Sequence, residues 1–159
     1  MATRNVLPDT ADQIMFGISS LLNDKGLLKA QLQADTAFYF DDNSRIELRN
    51  IRVTFHDKAG VRTSVLTARE GTYNTRLQMT EARKNVVVVS EDGRRLTTQQ
   101  LRYLQGADQI SSDSAFVLTE PTRRLEGIGF VSDPDMNNIR VHKVIGGQGG
   151  TIPLPGRSP

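Results

Sequence analysis

Few residues in this sequence are of the kinds that carry catalysis. Its two histidines, His56 and His142, stand among polar neighbours at the ends of alternating runs, and no local spacing adds the further ligands a metal site needs. Surface imidazoles account for both. The chain has no G-x-S-x-G elbow, no phosphate-binding glycine loop and no H-E-x-x-H helix, and no paired carboxylates stand at a workable spacing. An enzyme is therefore not expected, nor a metal, nor a cofactor. Two oxygen-rich stretches, "DDNSR" from Asp41 and "DPDMNN" from Asp133, have the composition of calcium loops. Asp and Asn also favour turn geometry, and hairpin turns explain both stretches better. The most pointed chemical feature is a pair of dipeptides, Arg94-Arg95 and Arg123-Arg124, each directly preceding a leucine, Leu96 and Leu125. Guanidinium forks suit phosphate groups, so these four arginines are candidates for a phosphorylated ligand, with solvated hairpin ends as the competing reading.

These residues sit in a chain of 159 residues, 37% of them hydrophobic, which suffices for one domain with a modest core. With no cysteine, neither a disulfide framework, a thiolate zinc site nor a cysteine nucleophile can be built. The net charge of +2 is too small to argue for nucleic acid, and Tyr39, Tyr73 and Tyr103 fall at buried-looking positions rather than on a stacking platform. No run approaches the roughly 18 apolar residues of a membrane-spanning helix, and "MATRNVLPDT" lacks a signal-peptide apolar region.

The elements that must position these side chains are mostly strands. Residues 1–10 read as a flexible N-terminus. Over 11–25, "ADQIMFGISSLLN" puts Ile14, Ile18, Leu21 and Leu22 on one helical face, with Asp9 or Thr10 as cap and Gly26 as stop, which predicts a short amphipathic helix. Over 26–145 the texture changes to short alternating runs separated by turn clusters, the pattern of an all-β meander. The Gly- and Pro-rich residues 146–159 have little to bury and read as a disordered tail.

The runs repeat. Leu32 to Tyr39, Leu66 to Tyr73 and Leu96 to Tyr103 share the frame L-x-[A/T]-x-x-[A/G/L]-x-Y, stepping by 34 and then 30 residues, and a shortened copy, "LEGIGF", starts 29 residues later at Leu125. Second strands follow, as "NIRV" from Asn50, "NVVV" from Asn85 and "SAFVL" from Ser114. Such hairpins bury their apolar faces only by stacking on neighbours. Within each frame the apolar positions change parity between +2 and +5, although a regular strand keeps one parity. Each first strand must therefore bend or bulge there. When every strand bends at one level, two half-sheets fold towards each other: a twisted, open, V-shaped β-jelly roll. The small residues Ala34, Ala37, Ala68 and Gly71 near the bend suit a tight corner. Leu32, Phe38, Val53, Phe55, Leu66, Tyr73, Val86, Val88, Leu96, Tyr103, Phe116 and Leu118 then either line a trough or fill a closed core.

In order and spacing, "GLLKAQLQADTAFYF", "ELRNIRVTFHDKAG", "LTAREGTYN", "ARKNVVVVSEDGRRLTTQQLRY", "ISSDSAF" and "LEGIGF" resemble the periplasmic domain of the LptC family, across about Gly26 to Val141. The resemblance implies a non-enzymatic protein whose apolar trough carries the acyl chains of lipopolysaccharide. It further implies transporter jelly rolls of the LptF and LptG kind at one sheet edge and an LptA-type bridge at the other, in the periplasm, with an N-terminal membrane anchor that residues 1–159 do not show. Lys84 stands where that family often has a glycine. Two copies of the domain can also pair edge to edge. The alternatives are an LptA-like bridge that stacks on itself and a cell-surface β-sandwich that binds carbohydrate or protein.

Overall fold

Alternating runs joined by tight turns leave little choice but consecutive antiparallel pairing, and that is what the computed structural model has. It describes residues 11–148, so the expectations for 1–10 and for most of the tail lie outside the described residues. Nine strands follow in chain order: β1 (Gln13–Asp24), β2 (Leu27–Phe40), β3 (Arg45–His56), β4 (Arg62–Asn74), β5 (Met79–Ser90), β6 (Arg95–Leu104), β7 (Gln109–Thr119), β8 (Arg124–Ser132) and β9 (Arg140–Gln148). They form one open antiparallel sheet in the order β1 to β9, which leaves β1 and β9 as its edges.

The parity change marks a real bend. In β2, Ala30, Leu32 and Ala34 are buried at even positions, whereas Ala37 is buried at an odd one. At the same level β1 has Gly17 (φ 60°), β3 has Asn50 (φ 52°), β5 has Lys84 (φ 67°) and Asn85 (φ 53°), and β8 has Gly129 (φ 77°). A left-handed residue inserted in a strand turns the following side chains to the other face. β5 and β7 do this with an extra residue. Lys84 and Asn85 lie between pairs where β6 has only Gln99, and Asp113 and Ser114 lie where β8 has only Gly129.

Bending folds the half-sheet made by the ends near the β3–β4 and β5–β6 turns onto the half-sheet made by the opposite ends. Close to the bend the two backbones converge, which is why small residues gather there. Ala34, Ala37, Ala68, Ala82 and Gly71 are all buried. A Cβ on Gly71 would lie 2.9 Å from the Glu81 carbonyl oxygen and 2.9 Å from Ile51 Cδ1, so the corner has no room for one.

Two sequence expectations are corrected. Residues 13–24 form strand β1, not a helix. A spacing of four fits both a helical face and one side of a strand. Gly17, which would weaken a helix, instead supplies the left-handed bend. By register Ile18 lies beside Ala34 on the inner face, while Ile14 lies beside Phe38 on the outer one. The expected tail also starts too early, because Gly146 to Gln148 pair with Glu126 to Arg124 along β8. A ladder needs only backbone groups, so glycines serve.

Candidate functional site

The interior between the half-sheets holds the hydrophobic core cluster of the described residues. Leu32, Val53, Phe55, Leu66, Val86, Val88, Leu96, Tyr103, Phe116 and Leu118 belong to one buried cluster, and Tyr73 packs half-buried against it. Rings meet across the gap. Phe55 of one half-sheet stands edge-on to Tyr103 of the other (centroids 4.8 Å apart), and Phe116 to Phe130 likewise (5.0 Å). Phe38 is set apart from its eleven companions. It lies on the outer face opposite Glu47, beneath the Arg49 guanidinium 5.2 Å from its ring centroid, as Phe40 lies beneath Arg45 at 4.2 Å.

The open side of the V is laced shut by polar contacts between opposing turns. After β6, Gln105 is buried. Its amide donates to the Asn23 carbonyl at the β1–β2 turn and accepts from the Tyr73 hydroxyl at 3.0 Å. After β8, the segment Asp133 to Ile139 crosses to the other half-sheet. Ser64 Oγ donates to the Pro134 carbonyl (2.7 Å), and Arg94 donates to the Asp135 carbonyl (3.3 Å) and to Asn137 Oδ1. Met136 (φ 62°) points inward from this segment, only 2% exposed, and joins the apolar cluster.

The arginine pairs divide. Arg94 and Arg123 both reach Glu120, Arg94 at 3.1 Å, and Arg94 also pairs with Asp92 at 3.2 Å. Arg95 and Arg124 instead flank Thr119 on one outer row, where Arg124 pairs with Glu126 at 2.8 Å. The ladder thus exists for the second member of each pair only. The "DDNSR" stretch is a turn, with Asp41, Asp42 and Asn43 all at positive φ. In "DPDMNN", Asp133 accepts from the Asn138 amide at 3.1 Å. Among the described residues no group of three or more His, Asp or Glu side chains is placed to hold a metal ion. His142 is exposed and His56 half-buried, and the two lie on different strands.

Burial sets the local electrostatics. It pushes the Tyr103 hydroxyl far above its ordinary range, with the Asp108 carboxylate adding to the effect, and it raises Tyr73 too. Burial likewise raises Asp108, against the opposing pull of Lys29 and of the Tyr103 hydroxyl. In the β8–β9 segment burial and the neighbouring Asp133 push Asp135 up. Burial works against Asp133 as well, but hydrogen bonds from Asn138, Asp135 and Ser132 outweigh it and hold that carboxylate low.

Compared with known families, residues 2–148 match the model described as lipopolysaccharide-assembly, LptC-related. The chain belongs to the LptC family. No curated protein matches it. LptC proteins are periplasmic components of the lipopolysaccharide transport machinery and form a transport-component family rather than an enzyme family. Among the described residues of this LptC-family chain no helix is long and apolar enough to cross a membrane.

Sequence reasoning missed the residues that close this LptC-type interior: Asn23, Ser64, Gln105 and Met136. One signal was present. Met136 is the single large apolar side chain inside the polar run "DPDMNN", and a lone apolar residue in a turn needs somewhere to be buried.

Proposed function

We propose that this domain is a lipopolysaccharide-binding and transit module, taking acyl chains into the space between its half-sheets and passing them along the sheet from one edge to the other. One observation carries the reading: a continuous apolar interior runs from Leu32 on β2 to Phe130 on β8, in a sheet whose first and last strands each leave one edge unpaired among the described residues. Unpaired edges are hazards unless they serve a partner. Here β-augmentation by neighbouring jelly rolls, of the LptF or LptG kind at one edge and the LptA kind at the other, would prolong the interior into a slide. Sheltering acyl chains removes a cost of roughly 25 cal/mol per Å² of apolar surface otherwise wetted. The protein works in the periplasm, held at the inner membrane by an N-terminal segment. Arg95 and Arg124, which flank Thr119 on the outer row, would be the residues to meet head-group phosphates.

The coverage of the interior favours a second reading, a closed sandwich that binds its ligand on the surface. Photocrosslinking separates the two. Reactive residues at Phe55, Val88 and Phe116, in cells making labelled lipopolysaccharide, are expected to give energy-dependent adducts, with none at the outward-facing Arg52. Silence at all three positions in a folded, membrane-located protein would overturn the transit reading and leave the surface-binding one.

A further inference from the structure

The β8–β9 segment is built unlike the other turns. It is the longest connection between the described strands, from Asp133 to Ile139, and besides the half-buried Ile139 it inserts one fully buried apolar side chain into a cluster otherwise supplied by strands. That side chain, Met136, holds a left-handed backbone conformation (φ 62°). The conformation is costly for a residue with a Cβ, and such outliers persist where the surroundings impose them. The Met136 amide donates to the Asp133 carbonyl at 3.0 Å, and polar latches hold the segment on either side. Ser64 grips the Pro134 carbonyl, and Arg94 grips Asp135 and Asn137. Four of the other residues, Asp133, Asp135, Asn137 and Asn138, are polar. Swinging the segment outward would wet Met136, Pro134 and the half-buried Ile139 while breaking no strand pairing.

Methionine is unbranched and flexible, the side chain nearest in shape to a short length of alkyl chain. The segment that carries Met136 bridges the open side of the V, held by Ser64 beside the β3–β4 turn and by Arg94 in the β5–β6 turn. We propose that the space under Met136 is the port through which an acyl chain reaches the interior, and that Met136 is a stopper occupying the place of that chain until the Asp133–Ile139 segment is displaced. This rests on the transit reading above. A covered interior then follows from the resting state of the port, and the apparent affinity for lipid is lowered by the small fraction of molecules in which it stands open.

The chain has four methionines, so methyl-labelled methionine gives four signals, with that of Met136 identified by Met136→Leu. The probe is cis-parinaric acid, a fluorescent fatty acid, added to the purified domain. Saturation is expected to move the Met136 methyl signal to a solvent-exposed position while Met79, at the start of β5, stays unchanged. Met136→Ala, which removes the stopper, and Arg94→Gln, which loosens one or two hydrogen bonds to the segment, are each, once confirmed folded by circular dichroism, expected to bind the probe about five- to tenfold more tightly. If the probe binds, and is displaced by lipid A, with the Met136 signal unmoved and both variants unchanged, the port is wrong while the transit reading stands. If neither wild type nor variants bind the probe, and crosslinking at Phe116 is silent as well, the transit reading falls and the port with it.

Discussion

Lys84 holds its backbone at φ 67° in the bulge of β5, and its ammonium pairs with Glu70 at 2.9 Å while remaining 64% exposed. A left-handed residue with a Cβ costs about 1–2 kcal/mol, whereas so exposed an ion pair contributes only about 0.2–1 kcal/mol. Lys84→Gly should therefore stabilise the domain by about 0.5 kcal/mol, after allowing for the added freedom of glycine in the unfolded chain, as urea titration would show. Gly71→Ala should act in the opposite sense. Its Cβ meets backbone and Ile51 at 2.9 Å, a clash expected to cost about 1–3 kcal/mol. Truncating Phe116, 3% exposed and packed edge-on against Phe130, to alanine should cost about 3–5 kcal/mol through the cavity it leaves. Asp108 tests the electrostatics. Because burial raises its pKa, the folded state binds its proton more tightly than the unfolded one, and the charged form lowers stability at neutral pH. Asp108→Asn should melt above wild type at pH 7. That advantage is full above the raised folded pKa and vanishes as pH falls below the ordinary aspartate value, so paired thermal melts across that window check it.

At the level of elements, the hairpin repeat and the bend were legible because both rest on side-chain parity, which sequence displays directly. Ala34 to Ala37 and Ala68 to Gly71 sit where the frame changed parity. Strand β1 was not legible. Its inner face is carried by Met15, Ile18 and Leu22 around the left-handed Gly17, so no alternation survives in the sequence, and the residual spacing imitates a helix. Phe38 was misplaced for a related reason. The bend falls at Asp35, so position 38 already belongs to the outer face. As an edge, β1 presents Phe16 at 71% and Leu21 at 59% exposure, apolar groups beside unpaired backbone. If two copies pair through this edge, Phe16→Lys should weaken self-association at least several-fold in sedimentation equilibrium, because it places a charge where the strands would meet.

For the molecule as a whole, each strand pairs with its sequence neighbours, and the hydrogen bonds that span the longest separations lie at the open side of the V: Gln105 with Asn23, 82 residues apart, and Ser64 with Pro134, 70 apart. Sequence could not display these, since they follow from how two bent half-sheets twist past each other rather than from any local pattern. Native-state hydrogen exchange should show amides of 105–108 and 133–138 opening at a free energy well below that protecting the centres of β4 to β6. The strictly sequential strand order has a consequence for how the protein is made. A chain delivered end-first through a narrow export channel can complete each hairpin as it emerges, without waiting for distant segments. The growing sheet always ends in a raw strand that the next one covers, and only the final lacing of the turns requires the whole chain to be present.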